Sequence, residues 1–328
     1  MRNQRTEFLF SWLPLLLIPV LLVLGCCAGA YWISPLELFS FGEAHTAVDP
    51  VVDLRLIRML AALTVGGSLA LSGMVFQAVL RNPLAEPFIL GVSGGAGVGA
   101  ALVIVCGFSA WSVLSLPLGA LAGALLALGV VLGISRGGGH GRDNLLLSGV
   151  IVGTIAGSIL MFLISVAHTE QLAGITWWML GDLQTADPAL LAPCGIVLLV
   201  ALGVIWYHAR GLNALSIGDS EAWDLGVDPR KLTLILVVTG SLLAAFSVAL
   251  AGIIGFCGLI VPHLVRRVCG CDHRKITFPV FLWGADFLMF CDILSRLPCP
   301  FKEIPIGVIT SLIGGPLFLW IINRRTQQ

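Results

Sequence analysis

Charge is what this sequence has least of. Of 328 residues, 11% are Asp, Glu, Lys or Arg, against about 25% in a soluble domain. Apolar residues make up 58%, and the mean hydropathy is +1.00. Water is therefore not the chain's solvent. The 18 basic and 18 acidic side chains cancel, so no net field recruits nucleic acid. An apolar chain so poor in charge does not stay disordered either. Catalytic signatures are missing as well. There is no GxxxxGK[ST] phosphate loop, so the chain itself has no cradle for ATP. HExxH, a nucleophile elbow and a spaced carboxylate pair are absent too, which leaves a membrane-embedded enzyme without a nucleophile, base or metal cluster. The nine cysteines are an odd number and most fall in apolar stretches (Cys26, Cys27, Cys106, Cys194, Cys257, Cys291). Cys299 alone reads as external, and no disulfide framework is implied. Cys269, Cys271, His263 and His273 crowd one segment, but their spacing matches no zinc pattern, and packing is the simpler reading. No metal site is expected.

What the sequence does have is long apolar runs, with 39 Gly and 16 Pro, residues that membrane helices use and tolerate. A membrane helix needs about 20 mostly apolar residues. Ten such stretches run near Phe8–Tyr31, Leu56–Leu80, Phe88–Gly107, Trp111–Ile134, Asn144–Ala167, Pro188–Tyr207, Leu232–Leu250, Ile253–Gly270, Ile276–Leu294 and Ile304–Ile322. The eighth is the weakest, interrupted by Pro262, His263, Arg266 and Arg267. The first is too long for the apolar core of a signal peptide and lacks a small-residue cleavage site, so it reads as a span. The expected fold is all-α, a single polytopic membrane domain over residues 1–328. No loop is long enough for a soluble domain, so any large aqueous machinery must lie on another polypeptide.

Lys and Arg in short loops set the orientation. With ten spans, fourteen of the 18 basic residues fall on the side of the termini. Only Arg55, Arg58, Arg296 and Lys302 fall on the other. Both termini are therefore expected in the cytoplasm, in a cell inner (plasma) membrane.

Ser68-Leu-Ala-Leu-Ser-Gly73 resembles Ser247-Val-Ala-Leu-Ala-Gly252 at an offset of 179 residues, and Pro83 and Gly91 match Pro262 and Gly270 at the same offset. Five spans separate the copies, an odd number, so they would cross in opposite directions. Inverted repeats of this kind place a substrate path between two halves. Short matches of small residues also arise by chance in membrane helices; the shared offset of the two prolines favours the repeat. Of the carboxylates only Asp286 and Asp292 lie well within a span. Asp292 stands four residues before Arg296, a spacing that pairs them on a helix. Asp286 has no such explanation. It supports the alternative function, an ion-coupled secondary transporter, for which a midplane carboxylate would be the coupling residue.

Two strings are more specific. The first runs from Gly73 to Gly97 and contains Gln77, then Arg81-Asn-Pro-Leu-Ala-Glu-Pro87, then Leu90-Gly-Val-Ser-Gly-Gly-Ala-Gly97. Its prolines force a break between helices, and its glycines allow close helix contact or bare backbone beside a ligand. The second is Gly252-Ile-Ile-Gly-Phe-Cys-Gly-Leu-Ile-Val-Pro-His-Leu-Val-Arg266. Before it stands Leu212-Asn-Ala-Leu-Ser-Ile-Gly-Asp-Ser-Glu-Ala-Trp-Asp-Leu-Gly-Val227, a loop on the basic side. There Asp219 or Ser220 is placed to cap a short helix, with Ala222 and Leu225 as an apolar face for a soluble partner.

Together these strings resemble the FecCD-type permeases, the membrane subunits of ATP-driven importers for iron-siderophores, haem and cobalamin. The resemblance runs from Asp53 to Arg324 and takes in Leu54-Arg-Leu-Ile-Arg58, Trp177-Trp-Met-Leu-Gly181 and Glu303-Ile-Pro-Ile-Gly307. It is weakest at the N-terminus and over Gly137 to Asn144. It implies a homodimer around a central path, with two cytoplasmic ATPase subunits beneath and a periplasmic or lipid-anchored binding protein above. ATP and Mg would then be held by the partner ATPase, with no cofactor on this chain. It divides the chain into a first span and outer loop (1–55), a first repeat (56–170), an outer segment with the sixth span and coupling loop (171–229) and a second repeat (230–328). Gly218, Asp219, Glu221, Ala222, Leu225 and Gly226 match the loop that couples to the ATPase. Asn82, Pro83 and Leu84 match the inner gate. Arg142-Asp-Asn144 stands where a second gate of small polar residues is expected, a charged departure from the pattern. Arg55, Arg58 and Arg296 match arginines that dock the binding protein, a task for which the guanidinium fork suits a carboxylate. Gly91, Ser93, Gly94, Gly258 and Pro262 are the candidates to line the path. The expected cargo is a metal chelate, an iron-siderophore before cobalamin or haem.

Overall fold

In hydrocarbon every backbone amide must be bonded within its own segment, so long apolar runs become helices. The structure, a computed structural model, describes residues 4–29, 31–35, 49–137, 142–184, 186–297 and 303–323. Cys299, Lys302 and the terminal Arg2, Arg324 and Arg325 lie outside the described residues. Among those described there are thirteen α-helices, one short 3-10 turn and no strand. They are α1 (Gln4–Cys27), α2 (Asp49–Val79), α3 (Val92–Val105), α4 (Ser115–Gly137), α5 (Arg142–Val166), α6 (Thr169–Met179) and α7 (Pro188–Tyr207). Then follow α8 (Ala209–Ile217), α9 (Asp219–Asp224), α10 (Pro229–Ala251), α11 (Cys257–Cys269), α12 (His273–Arg296) and α13 (Ile306–Asn323). The eight cysteines among the described residues are free thiols.

Seven of these helices, α1, α2, α4, α5, α7, α10 and α12, are long and apolar enough to cross a membrane. Two of the other expected spans are cut short: α3 has 14 residues and α11 has 13, roughly 20 Å each at about 1.5 Å per residue. α13 has 18 residues. The causes are local. α3 starts only after Gly91, whose φ of 75° is left-handed. α11 starts four residues later than the apolar run because the backbone turns at Gly252 and again at Phe256, both with φ 67°. At Phe256 this places a non-glycine residue in a region that costs free energy, and the Glu86 carboxylate accepts the Phe256 amide at 3.3 Å.

Glycine contacts give the helix directions. Gly25 lies against Met59 and Gly29 against Arg55, so the chain after α1 descends along α2 in the opposite sense. Gly66 meets Gly284, Gly67 meets Phe281, and Arg58 meets Asp292, so α2 and α12 are antiparallel. Phe10 stacks on Trp283 at 4.7 Å while the Gly25 carbonyl accepts from Arg296, so α1 and α12 run the same way. Gly95 and Gly99 of α3 cross Gly123 and Gly119 of α4 in antiparallel order, and Gly94 and Gly97 follow Ala156 and Leu160 of α5 in parallel. Alternating spans with α12 at an odd position produce this set of directions. The core is built on α2. In its most apolar stretch 89% of residues are buried, against 11% in α1, which leaves α1 at the periphery. The repeated strings sit in α2 and at the end of α10, helices joined where the Ser72 hydroxyl donates to the Gly240 carbonyl at 2.7 Å.

Candidate functional site

Polar side chains gather at the two ends of the bundle. At one end the C-termini of α1 and α12 meet the first turns of α2. Asp292, fully buried, accepts from Arg58 Nε at 2.6 Å and also pairs with Arg296. Arg58 further donates to Glu303 at 2.5 Å and to the Ser295 hydroxyl at 3.2 Å. Arg55 donates to the carbonyls of Cys26, Cys27 and Tyr31, and Arg296 to those of Gly25 and Ala28. The three arginines expected to reach out to a binding protein are thus turned inward, at 8%, 9% and 3% exposure. For Arg55 and Arg58 the reason is the length of α2. It begins at Asp49, so Arg55 and Arg58 lie within the helix and under its neighbours rather than flanking it. The pairing of Asp292 with Arg296 expected from their spacing is present.

The three family strings outside the two long ones also meet at this end. The Gly252 and Gly307 α-carbons press on the carbonyls of Trp178 and Leu180, where a Cβ would overlap, and the Asp182 amide donates to the Ala251 carbonyl at 2.9 Å. Gln184 donates to Glu303 at 2.6 Å. Burial pushes the Asp182 carboxyl above the usual carboxylate range, against the pull of Arg58.

At the opposite end, Asp219 is the hub. Its carboxylate accepts from Arg142 at 2.5 Å and from Arg81 at 3.1 Å. Both guanidinium groups also donate to the Leu215 carbonyl, at 3.1 and 2.8 Å. One acid therefore ties together the turn after α2, the start of α5 and the α8–α9 joint. Asp219 is not the helix cap that its position suggested. Gly218 occupies the N-cap of α9, and the Glu221 carboxylate folds back over it, where an added Cβ would overlap. Its own amide and the Ser220 hydroxyl hold the Glu221 carboxyl below the usual range. Ala222 is likewise corrected: it is fully buried and anchors α9 to the chain. The apolar surface presented outward is Ile217, Trp223 and Leu225. Gly226, at φ 76°, makes the left-handed turn that follows.

The gate candidates form a turn next to this hub. Arg81 has φ 48°, the Asn82 carboxamide oxygen accepts the Leu84 amide at 2.9 Å, and Pro83 and Leu84 are exposed. Gln77, a residue of the first string, is the staple of this region. Its Nε2 donates to the carbonyls of Ala85, Gly258 and Leu259, and its oxygen accepts from Arg266. Of the path candidates, Gly91 and Gly94 sit against α5, and Gly258 lies against Gly73, Leu69 and Pro87. These three glycines make helix contacts. Ser93 is half-buried and Pro262 is buried within α11.

Among the described residues no group of three or more His, Cys, Asp or Glu could hold a metal ion. His273 bonds through its amide and Nδ1 to Asn213, whose Nδ2 donates to Asp272 at 2.8 Å. That bond holds the Asp272 carboxyl below its ordinary range. Asp286 is 3% exposed with neither carboxylate oxygen bonded. It lines a pocket of about 430 Å³ in which, among the described residues, Arg267 is the other charged lining residue.

Helices long enough to span, interrupted helices buried among them and two charged ends define a polytopic membrane transport subunit. The FecCD transport family matches residues 15–324, and the chain belongs to that family. It is 36% identical to the hemin transport system permease HmuU of Yersinia pestis, over 96% of this chain and 95% of that one. It is 37% identical to the vitamin B12 import permease BtuC of Yersinia enterocolitica, over 98% and 95%. Among solved structures it superposes with a TM-score of 0.85 and 30% identity on an inward-facing metal-chelate type ABC transporter, covering 97% of this chain and 99% of the other. The chain is thus a membrane transport permease of the FecCD family.

Proposed function

We propose that the chain works as a homodimer of ten-span subunits, built on two inverted repeats, with both termini in the cytoplasm. Two ATPase subunits dock beneath it and a substrate-binding protein delivers a metal chelate from above. The observation that carries this reading is the Asp219 clamp beneath an exposed apolar helix. Ile217, Trp223 and Leu225 form the surface for an ATPase cleft, and Asp219 links that surface to Arg81, beside the inner gate Asn82–Leu84, and to Arg142 at the start of α5. Closure of the ATPase dimer pushes α9, and the clamp carries the displacement to both gate segments at once. This gives the charged Arg142-Asp-Asn144 version of the second gate a role, since Arg142 is one arm of the clamp.

On the other face, docking by Arg55, Arg58 and Arg296 would need donors that these residues already use. We therefore assign them to holding the outer end together, with Glu303, one-third exposed at its side chain, as the more accessible group there. The cargo is an iron-siderophore, haem or cobalamin. The relatives are named for hemin and vitamin B12, so haem and cobalamin are the first to test. The secondary-carrier alternative is not favoured: among the described residues Arg267 is the one other charged group lining the Asp286 pocket, and family membership points to ATP.

Replacing Glu221 by Arg and Leu225 by Asp should lower the amount of ATPase that copurifies by about tenfold or more, as for an interface anchor. Both side chains are exposed, so the elution profile of the permease alone should not change. ATPase recovered at the normal yield would overturn the coupling assignment.

A further inference from the structure

Between α4, α5 and α10, at the Asp219 end, lies a pocket of about 370 Å³. Its walls are mostly apolar, with Leu132, Leu145, Leu234 and Val237 alongside Ser135 and Thr233, and its basic lining residues are Arg142, Arg230 and Lys231. Leu234 and Val237 are three to six residues beyond Lys231 on α10, so the apolar wall continues roughly 5–9 Å along the helix from the basic residues at about 1.5 Å per residue. The charges are unbalanced. Asp219 also lines the pocket but is shared with Arg81 outside it. Asp228 accepts the amides of Arg230 and Lys231 and stands 3.6 Å from the Lys231 ammonium, which is 84% exposed. Arg142 Nε is buried and has no hydrogen-bond partner.

We propose that this pocket binds one anionic phospholipid. Its phosphate would lie among Arg142, Arg230 and Lys231, and one acyl chain would run along Leu132, Leu234 and Val237. A free phosphate would use the basic residues and leave the apolar wall bare. A phospholipid satisfies both, and basic pockets between membrane helices on the cytoplasmic side select anionic headgroups. Because Arg142 belongs to the clamp, a bound headgroup would stiffen the link between the coupling helix and α5.

This inference rests on the membrane orientation proposed above, but it is tested without transport, so each can fail alone. The full chain is purified, stripped of lipid and titrated with phosphatidylglycerol or with phosphatidylcholine of the same acyl chains, and native mass spectrometry counts the lipid retained. One phosphatidylglycerol per chain should be retained in preference to phosphatidylcholine. The double variant Arg230→Gln, Lys231→Gln should weaken retention by about thirtyfold, near fivefold per basic residue. Arg230→Lys, Lys231→Arg should keep it. Equal retention of the two lipids, or no effect of the glutamine pair, would overturn the site. Displacement of the lipid by inorganic phosphate at micromolar concentration would show a free-anion site instead. Loss of the lipid on adding the ATPase subunit would assign the surface to that partner.

Discussion

Asp292→Ala should destabilise the permease by about 3–5 kcal/mol, the range for removing one partner from a buried ion pair. The aspartate is fully buried between Arg58 and Arg296, which are themselves at most 9% exposed. Removing it leaves Arg58 with Glu303 alone and Arg296 without its carboxylate partner, the two guanidinium groups close together out of water. The neighbouring carbonyls of Gly25 and Ala28 already accept from Arg296 and carry no charge to replace what is lost. For a chain of this size such a loss lowers the midpoint of thermal unfolding by roughly 4–7 °C, read by size-exclusion recovery after heating in detergent. Glu303→Gln is the contrast. Its side chain is one-third exposed, so its pairing with Arg58 is screened and the midpoint should move by a degree or two. If the two variants behaved alike, the buried triad would not be what holds α1, α2 and α12 together at this end.

Gly73→Ala should be nearly as damaging although it adds one methyl group. That methyl would overlap the Gly258 carbonyl and its flanking backbone. Neither side can yield, because the obstacle is main chain on α11 rather than a flexible side chain. α2 and α11 must separate, and the Gln77 bonds to Gly258 and Leu259 would be stretched with them. The cost belongs at the upper end of the overpacking range, about 3 kcal/mol. Gly129→Ala on α4, where nothing lies within 4 Å, should be neutral or stabilising by up to about 1 kcal/mol, the helix propensity difference. The same thermal assay separates them. A Gly73→Ala chain as stable as Gly129→Ala would mean that α2 and α11 do not approach so closely.

The parts of this fold that the sequence revealed are those set by local chemistry. α7 runs from Pro188 to Tyr207 as expected, because Asp187 caps the Ala189 amide and Pro188 supplies the first turn. The apolar runs located α2, α5, α10 and α12 to within a few residues at most ends. What escaped was set by contacts far apart in the chain. Arg58 and Asp292 are 234 residues apart, and nothing local says that Arg55 and Arg58 belong inside a helix rather than at its rim. The hub at Asp219 joins residues 77 and 138 positions away, so its carboxylate read as a cap. A six-residue helix is too short for its pattern to show which face is buried, and Ala222 lies on the buried face. The turns at Gly252 and Phe256 were hidden because the apolar run continues through them while the backbone does not.

In the proposed function, ATP on a partner subunit drives a metal chelate through this chain. The direct test reconstitutes the permease with its ATPase and binding protein in lipid vesicles and follows labelled haem, cobalamin and a ferric siderophore. One chelate should accumulate only with hydrolysable ATP, and the Glu221→Arg, Leu225→Asp variant should abolish that accumulation. Uptake without ATP, driven by a proton or sodium gradient and lost in Asp286→Asn, would contradict the account.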